Sequence, residues 1–125
     1  KSLKLEMDCI TTIPSTKKRI QKRGYNHTEL LASQLAKKLS LPYIKPLIKI
    51  KETKPLASLN PLERFLEING AFQIDEKTLN LDYKSILLID DILTTGTTAV
   101  EVARTLKETY PECEIYLLVL ATAKK

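Results

Sequence analysis

Between Ser85 and Ala103 the chain reads S-I-L-L-I-D-D-I-L-T-T-G-T-T-A-V-E-V-A, and no other stretch limits the fold as much. Ile86 to Ile89 is an unbroken aliphatic run, the pattern of a strand buried on both faces, as in a parallel sheet. The run closes on two carboxylates, Asp90 and Asp91, and a helical pattern starts at Ala99. Sheets of this class bind ligands in the loops that leave the carboxyl ends of their strands. Here that loop is Thr94-Thr95-Gly96-Thr97-Thr98. The open amides and positive end of the following helix attract an anion. Gly96 permits a positive φ and a close approach of the backbone, and the threonine hydroxyls can donate to phosphate oxygens. Asp90 and Asp91 suit sugar hydroxyls or a magnesium ion. The plain alternative is a strand that ends in a hydroxyl-rich turn with solvated carboxylates.

Nucleotide hydrolases of the Walker type also place an apolar strand before acids. They need G-x-x-x-x-G-K-[ST], and none of Gly24, Gly70 and Gly96 begins such a loop. With 125 residues the chain is expected to form one domain, 1–125, large enough to bury a core. It contains no apolar run of membrane-spanning length and no apolar signal region at its start, so a cytoplasmic location without membrane insertion is expected. Cys9 and Cys113 lack the spacing of a zinc site and lie in strand-like runs, which predicts buried free thiols.

Charge is unevenly spread. The net charge is +5, and Lys17, Lys18, Arg19, Lys22 and Arg23 crowd into one short segment. Such a cluster attracts phosphorylated ligands or nucleic acid, or is simply a solvated loop. Aromatic residues make up 6% with no Trp, so no stacking platform for single-stranded nucleic acid is evident.

Met7 to Ile13 reads as a strand ended by Pro14, with a basic loop over Pro14 to Arg23. Asn26 to Leu41 reads as an amphipathic helix with Asn26 as N-cap and Glu29 at capping-box spacing. Leu31, Leu35 and Leu39 form its expected core stripe, flanked by Ala32 and Ala36. Tyr43 to Lys51 holds a short edge strand interrupted by Pro46, Lys54 to Pro61 a mobile loop, and Pro61 to Ile68 a short helix. Ala71 to Ile74 is a strand and Asp75 to Lys84 a polar connection. Ala99 to Tyr110 is a helix with Val102, Ala103 and Leu106 on its inner face, and Glu114 to Leu120 completes a βαβ crossover.

Ile86 to Thr98 resembles, without a gap, the phosphoribosyl diphosphate (PRPP) signature of the type I phosphoribosyltransferases: four apolar residues, two acids, two apolar residues, T-T-G-x-T. The resemblance implies an α/β fold, a Rossmann-like parallel sheet flanked by helices with a small hood over approximately residues 43–74. It implies that Asp90 and Asp91 are the catalytic acids, hold the ribose hydroxyls and face the magnesium that PRPP carries. Thr94, Thr95, Gly96, Thr97 and Thr98 would cradle the 5′-phosphate. The family's diphosphate loop follows the first strand, which here places Ser15, Thr16, Lys17, Arg19 and Arg23 in it; donors there would stabilise the charge on a leaving diphosphate.

Arg23-Gly24-Tyr25-Asn26, with Glu29-Leu30-Leu31-Ala32, looks like the R-G-[FY]-N-Q-x-E-L-L-A block of ComF-type, competence-associated proteins. Thr53, Leu59, Glu63, Arg64 and Gly70-Ala71-Phe72 fit that family's second block, and His27, Leu56 and Glu67 depart from it. His27 is better read as an exposed helix-start residue than as a catalytic base. The family usually carries a cysteine-rich zinc module ahead of this domain; this sequence opens on Lys1 without one, so a missing start is expected. Three functions follow from the resemblance: a magnesium-dependent transferase of phosphoribosyl to an acceptor the sequence does not name, a non-catalytic sensor of PRPP or nucleotide, or an accessory factor of DNA uptake in natural transformation. The last would contact single-stranded DNA through residues 17–23, alongside other competence proteins.

Overall fold

The computed structural model describes residues 7–14, 27–78, 83–93 and 96–122. Its centre is a parallel sheet of β1 (Cys9–Thr12), β4 (Ser85–Leu93) and β5 (Glu114–Thr122), in the order β1-β4-β5. Cys9 pairs with Ile86 and Thr12 with Ile89, while Ser85 pairs with Glu114 and Leu93 with Thr122. On the outer side of β1, Tyr43 forms an isolated parallel bridge to Ile10, with Ile10 N donating to Pro42 O at 2.9 Å and Ile44 N to Ile10 O at 2.9 Å.

The apolar run in β4 is continuous because both of its faces are covered. Alternate strand residues point to opposite faces. Ile86 and Leu88, with Cys9, pack against Ala99, Val102 and Leu106 of helix α3 (Thr97–Thr109). Ile89, Ile10 and the half-buried Leu87 pack instead against Ala32 and Ala36 of helix α1 (His27–Leu39). One helix therefore lies on each face, the arrangement expected of a parallel sheet. Cys9 and Cys113 are both free and buried, as expected.

The expected leucine stripe on α1 is corrected. Leu31 is 36% and Leu39 51% exposed, and only Leu35 of the three packs on the core, beside Ala32 and Ala36. Small side chains let the helix backbone approach the sheet closely, so the alanine row, not the leucine row, became the inner face. Asn26 lies outside the described residues, whereas the carboxyl end of α1 is plain. Ser40 takes φ +57°, Leu41 N donates to Ala36 O at 2.9 Å, and Ser40 N donates to Lys37 O at 3.2 Å. This is a Schellman closure with serine in the place usually held by glycine.

A second, smaller unit is built from β2 (Leu47–Lys49) and β3 (Phe72–Ile74), antiparallel, with Leu47 opposite Ile74 and Lys49 opposite Phe72. The strand begins just after Pro46, whose carbonyl accepts from Asp75 N at 2.8 Å; proline has no amide to donate but keeps its acceptor. Between these strands lies helix α2 (Pro61–Ile68). The segment read as a mobile loop, 54–61, is ordered by short-range contacts. Leu56–Ser58 forms a 3₁₀ turn, and Asn60 and Glu63 close a reciprocal capping box at 2.9 and 3.0 Å. Arg64 Nε donates to Leu56 O at 3.0 Å and Lys54 N to Glu67 Oε2 at 2.7 Å. The two family departures in this unit thus have local uses: Leu56 serves through its carbonyl, which any side chain leaves in place, and Glu67 ties down the chain that enters the 3₁₀ turn.

Candidate functional site

Three facts about the sheet converge on one place. The chain leaves β1 toward α1 and the Tyr43 side, and leaves β4 toward α3 and β5 on the opposite side. β1 and β4 are parallel neighbours, so both loops start at the same end of the sheet. The point where two neighbouring strands send their connections in opposite directions leaves a crevice between the loops, which is where such sheets take ligands.

Asp90 continues the row of Ile86 and Leu88, one residue past the Thr12–Ile89 pair, and is half-buried. Strand β4 runs on through Asp91 to Leu93, three residues beyond Asp90, because β5 keeps pairing with it there: Ile92 lies opposite Ala121 and Leu93 opposite Thr122. Extension of the strand holds Asp90 in a fixed backbone rather than in a turn. Thr94 and Thr95 lie outside the described residues. Gly96 stands at the N-cap of α3 with φ +82° and ψ −7°, a left-handed conformation that costs any residue with a Cβ about 1 kcal/mol or more. The helix starts at Thr97, two residues earlier than its apolar pattern suggests, with Val100 N donating to Gly96 O at 3.0 Å. Thr97 and Thr98, both half-buried, therefore lie in its first turn. With Ala99 they bring no negative charge to the positive end of the helix.

Of the remaining expected site residues, Ser15, Thr16, Lys17, Arg19 and Arg23 lie outside the described residues. Ile13 and Pro14, which lead into them, sit at the same end of the sheet as Asp90. Thr12 Oγ1 and Tyr43 OH share a hydrogen bond of 2.7 Å beside that exit. Burial, opposed by the bond from Thr12, pushes the Tyr43 phenol up to about 12. Carboxylate oxygens on Asp90 and Asp91 are the hard donors magnesium prefers, and one or two protein carboxylates joined by substrate phosphates is its usual setting. Asp90, on the face of Ile86 and Leu88, offers a carboxylate of the type that fits a magnesium ion.

One residue escaped the sequence reading. Glu101, in the second turn of α3, is only 4% exposed, while its neighbour Val100 faces solvent. The expected inner face of Val102, Ala103 and Leu106 is corrected accordingly: Ala103 is half-buried, and Glu101 and Thr105 take buried places beside Val102 and Leu106. Arg104 grips the carboxylate with two bonds, Nε to Oε1 at 3.0 Å and Nη2 to Oε2 at 2.5 Å, and Gly70 N donates to Oε2 at 3.1 Å. The bond from Arg104, opposed by burial and aided by the Gly70 amide, holds the carboxyl below its ordinary range. The available signal was the i, i+3 spacing of Glu101 and Arg104. A separate shallow cavity of about 230 Å³ lies over α2, lined by Lys54, Leu59, Glu63, Leu66 and Glu67. It includes none of the expected site residues.

The match to known proteins agrees with this geometry. Residues 20–125 fit the model of the phosphoribosyl transferase domain. The chain belongs to the phosphoribosyltransferase domain family. It is 31% identical over 117 residues to Competence protein F of Haemophilus influenzae, an alignment that covers 93% of this chain and 51% of that protein. It is 28% identical over 100 residues to the DNA utilization protein YhgH of Salmonella typhi, covering 79% of this chain and 43% of that one. The chain thus spans about half the length of these relatives. A crystal structure of an adenine phosphoribosyltransferase superposes with a TM-score of 0.56 at 13% identity, over 97% of this chain and 60% of that one. At that identity the likeness concerns the fold, a parallel α/β sheet flanked by helices. The resemblance read from the signature at Ile86 to Thr98 and from the two competence-type blocks therefore stands.

Proposed function

We propose that this phosphoribosyltransferase-type domain binds PRPP with magnesium in the crevice between the loops after β1 and β4, as part of a protein of DNA uptake and natural transformation. The observation that carries the reading is Gly96 at φ +82°, the left-handed residue from which α3 starts with Thr97 and Thr98 in its first turn. In this reading Thr94 to Thr98 hold the 5′-phosphate, and Asp90 and Asp91 receive the ribose hydroxyls. Ser15, Thr16, Lys17, Arg19 and Arg23 receive the diphosphate. Asp90 and Asp91 would also hold the magnesium, which neutralises charge on the diphosphate. If transfer occurs, an acceptor nitrogen forms a bond to C1′ as the C1′–O bond to diphosphate breaks, and the electron pair leaves with the diphosphate. The residues' part is to fix both ends of the ribose and stabilise charge on the departing group. The small unit at 43–74 would form the hood over this crevice. A cytoplasmic location belongs to the same reading; among the described residues no helix is long and apolar enough to cross a membrane.

Calorimetric titration of PRPP with magnesium tests the site. Micromolar binding is expected, lost in Asp90→Asn/Asp91→Asn, and diphosphate release on adding an acceptor would make the domain a transferase. Failure of the folded wild type to bind would overturn the reading. The names of the relatives, a competence protein and a DNA utilization protein, favour a second reading in which the domain is an accessory factor that contacts single-stranded DNA. It predicts DNA binding that weakens steeply with salt and competes with PRPP.

A further inference from the structure

Glu101 is a buried carboxylate to which the proposed chemistry assigns no part. Taking a carboxylate out of water is costly unless its partners are well placed, and an apolar side chain would fill the same space more cheaply. Its partners here come from two parts of the fold. Arg104 lies on the same helix, whereas Gly70 is the turn between α2 and β3, in the smaller unit. Gly70 has φ +74°, and nothing lies within 4 Å of where its Cβ would stand. The glycine is there for its backbone angle, which lets this turn present its amide to the carboxylate. The turn is joined to the rest of the smaller unit: Ala71 N donates to Ile68 O at the end of α2 at 3.0 Å, and Ile50 N, just past β2, donates to Ala71 O at 2.7 Å. On the other side, Glu101 is five residues along α3 from Gly96, roughly 7.5 Å of helix rise. Its own carbonyl accepts from Thr105 Oγ1 at 2.8 Å.

The pairing with Arg104 has an electrostatic consequence. A lone carboxylate that close to a bound phosphate would oppose binding, but the bidentate guanidinium of Arg104, which also pairs with the exposed Glu108, offsets its charge. The strut can therefore stand beside an anion site.

We propose that Glu101 is a positioning residue: by holding Gly70 to the second turn of α3, it couples the seating of the smaller unit to the binding of a phosphorylated ligand at the amino end of that helix. The inference rests on the PRPP-binding reading above. Coupling of this kind is reciprocal, so ligand must tighten the Gly70 contact as much as the contact tightens ligand.

The test uses the whole chain, PRPP with magnesium as the probe, and amide hydrogen exchange at Gly70, Ala71 and Phe72. In the wild type, saturating PRPP is expected to slow exchange at these amides about tenfold. Glu101→Ala is expected to bind PRPP about tenfold more weakly and to lose the ligand-dependent slowing, while Glu101→Gln, which keeps an oxygen for the Gly70 amide, recovers most of both. A residue that only stabilised the fold would lower the melting temperature without touching ligand-dependent exchange. Wild-type binding with no change at Gly70 to Phe72 would overturn the inference by itself, whether or not either variant folds. A folded Glu101→Ala variant with wild-type affinity would do the same. No PRPP binding by the folded wild type would overturn the proposed function, and this inference with it.

Discussion

Asp8 and Ser85 are joined twice across the start of the parallel sheet: Asp8 N donates to Ser85 O at 2.8 Å, and Ser85 N donates back to Asp8 Oδ2 at 3.1 Å. The same carboxylate oxygen takes Lys84 N at 2.6 Å, so one exposed side chain fixes the register of two strands more than seventy residues apart in sequence. This clasp sits at the amino ends of the strands, opposite the crevice.

Asp8→Ala should therefore separate stability from ligand binding. Loss of two charge-assisted bonds at an exposed place should cost about 1–2 kcal/mol. PRPP affinity should not change. Urea unfolding and calorimetry on the same variant read both quantities, and a loss of affinity in a fully folded sample would contradict the separation.

The closure of α1 predicts a gain. Ser40 at φ +57° pays a backbone penalty that glycine would not, and its amide bond to Lys37 O is available to either residue. Ser40→Gly should raise stability by about 1 kcal/mol, and Ser40→Val should lower it by more than that, since a β-branched residue tolerates this region least. Opposite signs in thermal melts are the expected pattern.

Burial makes both thiols inert. It pushes Cys9 up to about 12, with a smaller push from the Asp8 carboxylate, and it also raises Cys113. A thiol reagent at pH 8 should leave both residues unlabelled in the native protein and label both in denaturant. Cys9→Ser should cost roughly 1–3 kcal/mol, because it puts a hydroxyl without a partner among Ile86, Leu88 and Val102. Rapid labelling of the native chain would show that the sheet opens.

Glu101 sets the sign of one pH dependence. Its folded pKa lies below the ordinary value of 4.5, chiefly through the bond from Arg104. The unfolded chain then takes up a proton first as pH falls, so the contribution of this group is complete above about pH 4.5 and is lost as pH drops through the folded value. Below pH 4.5 the melting temperature of the wild type should fall more steeply than that of Glu101→Gln, which has no proton to gain. Parallel curves for the two proteins would show that the carboxylate contributes nothing.

Local signals in the sequence settled a good deal. The run Ile86 to Ile89 could be a doubly covered strand and little else, since both faces are apolar and the run is too short for a buried helix. Acids, threonines and Gly96 after it marked the proposed ligand loop, because a left-handed turn into a helix favours glycine and an anion demands donors. Pro46 placed its strand at an edge, and Asn60 with Glu63 has capping-box spacing within the segment 54–61. The capping bonds that order it join residues only three apart and needed geometry to be seen. What only the tertiary structure decided were choices between faces. Leucine outranks alanine as a core residue on hydrophobicity, yet α1 turned Ala32 and Ala36 inward, because the sheet beneath it left room for a close approach and not for a leucine row. Val100 is the apolar residue and Glu101 the charged one, yet Glu101 is the buried member of the pair. Its partner is the amide of Gly70, thirty-one residues away, and a bond that depends on where a distant turn presents its backbone leaves no trace in local sequence.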